Sequence, residues 1–324
     1  MIDSQIIEHN LVHAFHSAEL PLADKVSGKV RDWFTINDNE RLIVTTDRLS
    51  AFDRVLAEIP FKGQILNQLS AWWFSQTSNI VQNHMIRVPD PNAIVVKKAK
   101  PFPVEVIVRG YITGVTSTAL WYRYSLGERN IYGYTFPEGL IKNQKLETAI
   151  ITPTTKGGPT GHDERLTCAE VVENGLLDEG IWQKTMQAAL QLFTFGQKKA
   201  NEAGLILVDT KYEFGFDENG ELMLIDEVHT PDSSRFWKSD TYQERMNKGN
   251  EPENFDKEFI RIAYADKGYR GDGKVPQMED SLFIQASQRY IQIYEMLTSE
   301  DFIPGKYPVN ERLLENLTKS GDIK

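Results

Sequence analysis

Cysteine, long apolar runs and a secretory leader are scarce or missing in this sequence. The single cysteine, Cys168, cannot form an internal disulfide, so nothing favours an oxidising compartment. No apolar run approaches the roughly 18 residues that a membrane span needs, and the first residues lack the positive and apolar regions of a secretory signal. We therefore expect a cytoplasmic protein with no membrane partner.

Positive charge is also in short supply. The chain has 36 Lys and Arg against 46 Asp and Glu, which gives a formal net charge of −10, whereas a general duplex nucleic-acid binder is more often basic. The P-loop, G-x-G-x-x-G, G-x-S-x-G and H-E-x-x-H patterns do not occur. These absences argue against a nucleic-acid partner, a P-loop NTPase, a Rossmann dehydrogenase, a serine hydrolase and a zinc protease.

The length and composition are those of a globular protein. The 324 residues correspond to about two domains, at the usual ~150 residues per domain. The Pro-rich segment Lys100-Pro101-Phe102-Pro103 separates two strand-like stretches, and we predict a hinge there. The predicted domains are a small lobe of residues 1–103 and a larger lobe of residues 104–324.

Alternating and helical apolar patterns together predict an α+β fold. A hairpin is expected over residues 26–46, around the turn signal Asn37-Asp38-Asn39. Thr167 and Glu170 have capping-box spacing, and a long helix is expected from about residue 178 to 203, with Gly204 at its C-terminal cap. Further helices are predicted within 1–20, 65–78 and 281–297, whereas residues 249–274 look polar and loop-like.

A second predicted hairpin, over residues 205–228, brings carboxylates together. If Asn219-Gly220 forms a two-residue turn, Glu213 faces Asp226, and Asp209 and Lys211 project to the same face as Glu213. Apposed carboxylates destabilise a sheet unless a cation compensates them, and carboxylates without His or Cys suit Mg²⁺. A four-residue loop leaves Glu213 diagonal to Asp226, a three-residue loop breaks the pairing, and a solvated strand face is the alternative to a metal site.

Three further segments are candidates for binding anions. Gly28, Lys29, Val30 and Arg31 begin the first hairpin, where glycine and two cations on one strand face suit phosphate, although an ordinary charged strand has the same pattern. Glu105 and Arg109 flank an apolar strand and form either an internal ion pair or a site for metal and anionic substrate. The third candidate is the segment after the second carboxylate strand, which contains Ser233, Ser234 and Arg235.

Taken together, these motifs resemble the SAICAR synthetase family from about residue 20 to 312. The resemblance implies a two-lobe α+β fold of mainly antiparallel sheets with flanking helices, related to ATP-grasp enzymes and to the protein-kinase small lobe, with ATP between the lobes. The segments that carry it are GKVRDWF (28–34), TTDRLSAFD (45–53), KGQILNQLSAWWF (62–74), EVIVRGYITG (105–114), TPTTKGGPTGHDE (152–164), VDTKYEFGF (208–216) and LIDEVHTPDSSRFW (224–237).

The resemblance also implies an activity. Members of this family join the carboxylate of 5-amino-1-(5-phosphoribosyl)imidazole-4-carboxylate (CAIR) to the amine of L-aspartate and release ADP and phosphate. A carboxylate is a poor electrophile, so γ-phosphoryl transfer to an acyl phosphate is the expected route. The cofactors are then ATP and Mg²⁺, and a monomer suffices. A kinase-like phosphotransferase and a nucleotide-sensing module without chemistry are the alternatives.

The resemblance assigns roles to named positions. Asp209, Lys211 and Arg235 are the implied catalytic residues, and the implied metal ligands are Glu213 and Asp226 with Glu105 and Asp209. In many relatives a serine follows Gly114, but Val115 stands there in this chain, so Ser117 is the expected replacement. The implied ATP-binding residues are Gly28, Lys29, Val30, Arg31, Lys211, Glu213 and Asp226, and the implied substrate-binding residues are Ser50, Asp53, Glu105, Arg109, Ser117, Lys156, Asp163, Ser233, Ser234 and Arg235.

Overall fold

The computed structural model describes residues 2–52, 54–157 and 163–323, and it has the expected α+β architecture of antiparallel sheets and helices. No helix in these residues is both long and apolar enough to cross a membrane. The helices are α1 (Ser4–Asn10), α2 (Lys62–Gln76), α3 (Leu120–Ser125), α4 (Cys168–Glu173), α5 (Glu179–Glu202), α6 (Ser239–Asn247), α7 (Glu258–Asp266), α8 (Asp280–Thr298) and α9 (Val309–Ser320). The strands are β1 (Ala23–Ser27), β2 (Arg31–Thr35), β3 (Glu40–Thr45), β4 (Arg48–Ala51), β5 (Arg54–Glu58), β6 (Met85–Asp90), β7 (Ala93–Lys97), β8 (Lys100–Ile112), β9 (Asn130–Ile131), β10 (Tyr134–Thr135), β11 (Gln144–Ile151), β12 (Thr154–Thr155), β13 (Leu205–Phe216), β14 (Leu222–Ile225) and β15 (Ser234–Lys238).

The first sheet has the strand order β1-β2-β3-β7-β6. The predicted hairpin at its centre is confirmed as β2 and β3, and the Asn37 side chain accepts hydrogen bonds from the backbone N–H groups of Asn39 and Glu40, both at 2.9 Å. Helix α2, also predicted, packs against this sheet. The N-terminal helix ends at Asn10, which is earlier than its apolar pattern predicts.

The second sheet has the order β11-β8-β13-β14, with β12 beside β8 and β15 beside β13. Its strand β8 begins at Lys100 and includes both prolines of the predicted hinge, so the prediction that this segment separates two strands is wrong. Pro101 lies opposite Gly215 of β13, where a Cβ would come within 2.7 Å of the Lys100 carbonyl oxygen. The chain therefore passes from one sheet to the other at residues 98–99, between β7 and β8.

The carboxylate hairpin forms with a register different from the predicted one. Glu213 faces Ile225 instead of Asp226, because the Asp217 N–H donates to the Glu221 carbonyl at 3.0 Å and closes a three-residue loop. The Asp217 side chain also accepts hydrogen bonds from the N–H groups of Asn219 and Glu221. Asp226 lies just beyond β14 with a φ of 70°, so the chain turns there instead of continuing the strand.

Helix α5 covers β8 and β13, and its predicted C-terminal cap is confirmed by Gly204 with a φ of 73°. The capping box of Thr167 and Glu170 is also confirmed at the start of α4. Within residues 249–274, however, Glu258–Asp266 form α7, so a continuous loop there is wrong. Helix α9 is not among the predicted helices, and its residues Val309, Leu313 and Leu317 pack against the first sheet.

Candidate active site

A cavity of about 480 Å³ opens between the two sheets. Its apolar walls come from both of them, with Trp33, Ile43 and Val96 from the first sheet and Ile225 from the second. Most of the remaining lining residues are charged. The expected site residues that line the cavity are Lys29, Val30, Arg31, Ser50, Lys156, Lys211, Glu213 and Asp226.

The expected phosphate-binding segment forms the turn between β1 and β2. Lys29 and Val30 lie in this turn, so the prediction that Lys29 shares a strand face with Arg31 is wrong. Arg31 is the first residue of β2, only 7% exposed, and its guanidinium bridges Asp226 and Glu227, with 2.6 Å to the latter. Burial alone would lower the pKa of Arg31, but the two carboxylates raise it above its ordinary value.

Carboxylates do face each other in the second sheet, although the pair is Glu213 and Glu105, on the adjacent strands β13 and β8. Lys211 lies between them, and its Nζ donates to Glu213 at 2.5 Å and to Glu105 at 2.9 Å. Lys156 forms a further ion pair with Glu213. This chain of alternating charges supplies the compensation that two apposed carboxylates need.

The carboxylates of this chain have shifted pKa values. Burial would raise the pKa of Glu213, but Lys211 and Lys156 overcome this effect and lower it to about 2. Burial raises the pKa of Glu105 despite Lys211, and it raises that of Asp226 to about 6 despite Arg31. Glu213 is therefore held in its ionised form. A further positive charge in the cavity would stabilise the ionised form of buried Asp226.

A second charged group lies further along β13. Asp209 is directly opposite Arg109 of β8 on one side and Arg235 of β15 on the other. Its Oδ2 accepts hydrogen bonds from both, at 3.2 and 2.5 Å, and Arg109 Nε also donates to Thr152 at 2.8 Å. An internal pair between Glu105 and Arg109 is therefore wrong, because Glu105 pairs with Lys211 instead.

The remaining expected substrate residues differ in their surroundings. Ser234 is buried and donates to Thr210 at 2.7 Å, and Ser233 belongs to the turn that begins at Thr230. Ser117 is exposed in the loop before α3. Asp163 accepts a hydrogen bond from the Gly157 N–H at 3.0 Å, whereas Asp53 lies outside the described residues.

The donor set fits a metal that is completed by a ligand. The described parts of the chain contain no cluster of three or more His, Cys, Asp and Glu side chains arranged to hold a metal ion. Glu213 and Asp226 nevertheless line one cavity together. Mg²⁺ is commonly held by one or two carboxylates together with substrate phosphates, so this pair fits Mg²⁺ only as part of a nucleotide complex.

Sequence reasoning missed several charged residues that line this cavity or pair with its lining. Lys62 is fully buried at the start of α2 and pairs with Asp232, which also accepts from Tyr290 at 2.8 Å. Glu227 holds Arg31, and Lys257 lines the cavity from the segment before α7. The one available sequence signal was Lys62, which stands at the edge of the apolar helix pattern of α2. A lysine in such a position is a candidate for burial, and a buried cation needs a partner.

Comparisons with known proteins agree with this geometry. The family model described as SAICAR synthetase matches residues 24–277. The chain is 52% identical to phosphoribosylaminoimidazole-succinocarboxamide synthase of Legionella pneumophila (strain Lens), over 92% of this chain and 96% of that protein. It is 46% identical to the chloroplastic enzyme of Arabidopsis thaliana, over 92% of this chain and 73% of that protein.

Solved structures point the same way. The SAICAR synthase of Saccharomyces cerevisiae, complexed with SAICAR, matches with a TM-score of 0.77 and 34% identity, over 89% of this chain and 99% of that one. A SAICAR synthetase in complex with ADP matches with a TM-score of 0.66 and 26% identity, over 86% and 100%. The family match and the fold thus define an ATP-dependent carboxylate–amine ligase. The chain belongs to the SAICAR synthetase family, which condenses CAIR with aspartate in purine biosynthesis.

Proposed function

We propose that this chain performs the family reaction through an acyl phosphate, with the nucleotide phosphates held between the Gly28–Arg31 turn and the Glu213/Asp226 pair. The observation that carries the proposal is the meeting of these two carboxylates with Arg31, Lys156 and Lys211 in one cavity. Phosphoryl transfer depends on positioning and on neutralising charge, and this arrangement supplies both kinds of group.

ATP is the expected occupant of the cavity. A structural relative was solved with ADP, and the apolar walls formed by Trp33, Ile43, Val96 and Ile225 suit a purine base. Lys29, Arg31 and Lys211 line the same cavity and suit the phosphates. Glu213 and Asp226 would hold Mg²⁺, which supplies positive charge to the phosphate oxygens.

CAIR is expected at the arginine end of the site, around Arg109 and Arg235, beyond the residues that line the cavity. Arg109 and Arg235 are both held by Asp209, which fixes their direction and leaves other guanidinium N–H groups for an anionic substrate. Gly114 lies close beneath Arg235, because a Cβ there would come within 3.1 Å of Nη2. Glu105 and Lys211 connect this end to the phosphate end.

The chemistry then follows in two balanced steps. A CAIR carboxylate oxygen forms a bond to the γ-phosphorus as the bond to ADP breaks, and the buried cations stabilise the charge that ADP carries away. The neutral amine of aspartate next attacks the acyl carbon, the C–O bond to phosphate breaks as the amide forms, and the proton that the amine loses leaves with the phosphate. Lys211 lies between the two ends of the site and is the cation we assign to the transferring group.

The test is ADP release by the purified protein with Mg-ATP and CAIR, measured with and without L-aspartate, while the product is followed by mass. We expect ADP release that depends on aspartate and a product mass equal to that of CAIR plus aspartate less water. ADP release that does not change with aspartate would instead support a phosphotransferase. No ADP release would support a binding module.

A smaller prediction concerns Gly28. A Cβ at this position would come within 2.5 Å of the Trp33 ring, which lines the proposed adenine wall. We expect Gly28→Ala to displace the ring and to raise the KM for ATP by roughly tenfold. The matched control is Gly180→Ala in helix α5, where a Cβ meets nothing within 4 Å. Equal KM values for ATP in the two variants would contradict the assignment of this wall.

A further inference from the structure

Lys257 is a cation of the cavity whose ammonium group has no fixed partner. Its side chain is half-buried and lines the cavity together with Glu227 and Asp232. Among the residues that the structure describes, none forms a hydrogen bond or ion pair with its Nζ. Burial lowers the pKa of Lys257 to about 8, although the negative charge of Asp232 opposes this shift.

The neighbouring charges explain why Lys257 stays unpaired. Asp232 is already engaged by Lys62 at 2.7 Å and by Tyr290, and Glu227 is engaged by Arg31. The positive charges of Lys62 and Arg261 also lie close enough to disfavour a charged Lys257. The ammonium group of Lys257 is therefore able to form an ion pair with an additional anion in the cavity.

The backbone fixes Lys257 near the expected junction of the substrates. The Phe255 N–H donates to the Phe236 carbonyl at 2.9 Å, and the Phe236 N–H donates to Asp256 Oδ2 at 3.1 Å. This attaches the segment before α7 to β15, the strand that carries Arg235. The backbone next to Lys257 is thus attached to the strand that carries Arg235, and the Lys257 side chain lines the cavity of the proposed phosphate site.

The assignment of the other cations of the site favours one reactant as the ligand of Lys257. Lys29, Arg31, Lys156 and Lys211 serve the proposed phosphate end, and Arg109 and Arg235 serve the proposed CAIR end. Arg41 and Lys97 also line the cavity, but both are exposed and lie on the first sheet, next to Ile43 and Val96 of the proposed adenine wall. L-aspartate brings two carboxylates, for which neither group provides an unassigned cation. We propose that Lys257 binds a carboxylate of the L-aspartate substrate, an inference that rests on the proposed ligase function.

The test compares Lys257→Met and Lys257→Arg in the full chain. We expect Lys257→Met to raise the KM for aspartate by roughly 10- to 100-fold, because one charge-assisted hydrogen bond is lost. The inhibition constant of succinate, a dicarboxylate without the amine, is expected to rise by the same factor. The Kd of ADP, measured by calorimetry, is expected to stay within about twofold. Lys257→Arg is expected to keep part of the aspartate affinity.

The matched control is Lys248→Met, which removes an exposed lysine of α6 that pairs with Glu244 outside the cavity. An unchanged KM for aspartate in Lys257→Met would overturn the proposal, and so would a rise in the Kd of ADP equal to the rise in KM, since that would make phosphate the ligand. A wild-type protein that turns over without aspartate would overturn the proposed function itself, which is a different result from an unaltered Lys257→Met variant.

Discussion

Asp226→Asn is expected to lower the kcat of ligation by roughly 10²- to 10³-fold, because the amide cannot supply the negative charge that a metal–nucleotide complex requires. Asp226 projects into the cavity from a turn with a φ of 70°, beside the Arg31 guanidinium. ADP release at saturating Mg-ATP, CAIR and aspartate is the measurement. Turnover equal to that of the wild type would exclude Asp226 as a metal ligand.

The fold should survive this change for two reasons. Asparagine adopts the left-handed backbone conformation more readily than most other residues. Arg31 also keeps Glu227 as a partner at 2.6 Å, so its buried charge is not left alone. Thermal unfolding of Asp226→Asn should therefore resemble that of the wild type. Asp217→Asn, in the turn of the same hairpin, is the control that should retain full turnover.

Lys62→Met is expected to have the largest effect on stability, a loss of about 3–5 kcal/mol in the free energy of unfolding. Lys62 is fully buried, and its Nζ donates to Asp232 at 2.7 Å and to the Arg48 carbonyl at 3.0 Å. Methionine has a similar length but leaves Asp232 as a buried carboxylate without its nearest cation. Urea unfolding followed by fluorescence measures the change.

The pH dependence provides a second test of Lys62. Burial would raise the pKa of Asp232, but Lys62 and Lys257 lower it to about 2, below the ordinary value of 3.8. A depressed pKa contributes stability above 3.8 that is lost as the pH falls toward 2. We therefore expect the difference in the free energy of unfolding between the wild type and Lys62→Met to become smaller as the pH falls from 3.8 toward 2. A difference that stays constant from pH 5 to about 2 would contradict the ion pair as its cause.

Two further variants separate the lost charge from the lost packing. The double variant Lys62→Met/Asp232→Asn should recover much of the stability, because no unpaired carboxylate remains. Lys25→Met removes a lysine that pairs with the exposed Glu19 and should produce no measurable change. If the double variant is as unstable as Lys62→Met, packing rather than charge explains the loss.

Residue types could be predicted from the sequence more reliably than pairings between strands. The hairpin over residues 205–228 follows from its alternation and turn residues, but the Asp217 side chain closes a three-residue loop and shifts the register by one. The one-residue shift should have carried Asp226 to the other face. The left-handed turn at Asp226 returns its carboxylate to the cavity, and such a turn at a non-glycine residue has no clear sequence signal.

Strand pairing also overrides the local preference of proline for breaking a strand. Pro101 and Pro103 suggest a hinge, yet both belong to β8, where Gly215 of β13 allows the backbones to approach closely. Helix α9 was predictable in principle, because Val309, Leu313 and Leu317 recur at helical spacing and Gly321 follows them. The division into lobes at residue 103 stays a prediction, although the packing of α9 joins the end of the sequence to the first sheet.

Helix α9 also bears on how the protein is made. Its apolar side chains complete the core around Phe34 of β2 and Leu42 of β3. These two strands leave the ribosome long before residues 309–320 are translated. Until then, the sheet that we expect to hold the adenine keeps one apolar face open to solvent and exposed to chaperones or to other nascent chains. The second sheet, with its arginines and carboxylates, is translated in the interval. The sheet that we expect to hold the adenine is therefore the first to be synthesised and the last to have its core completed.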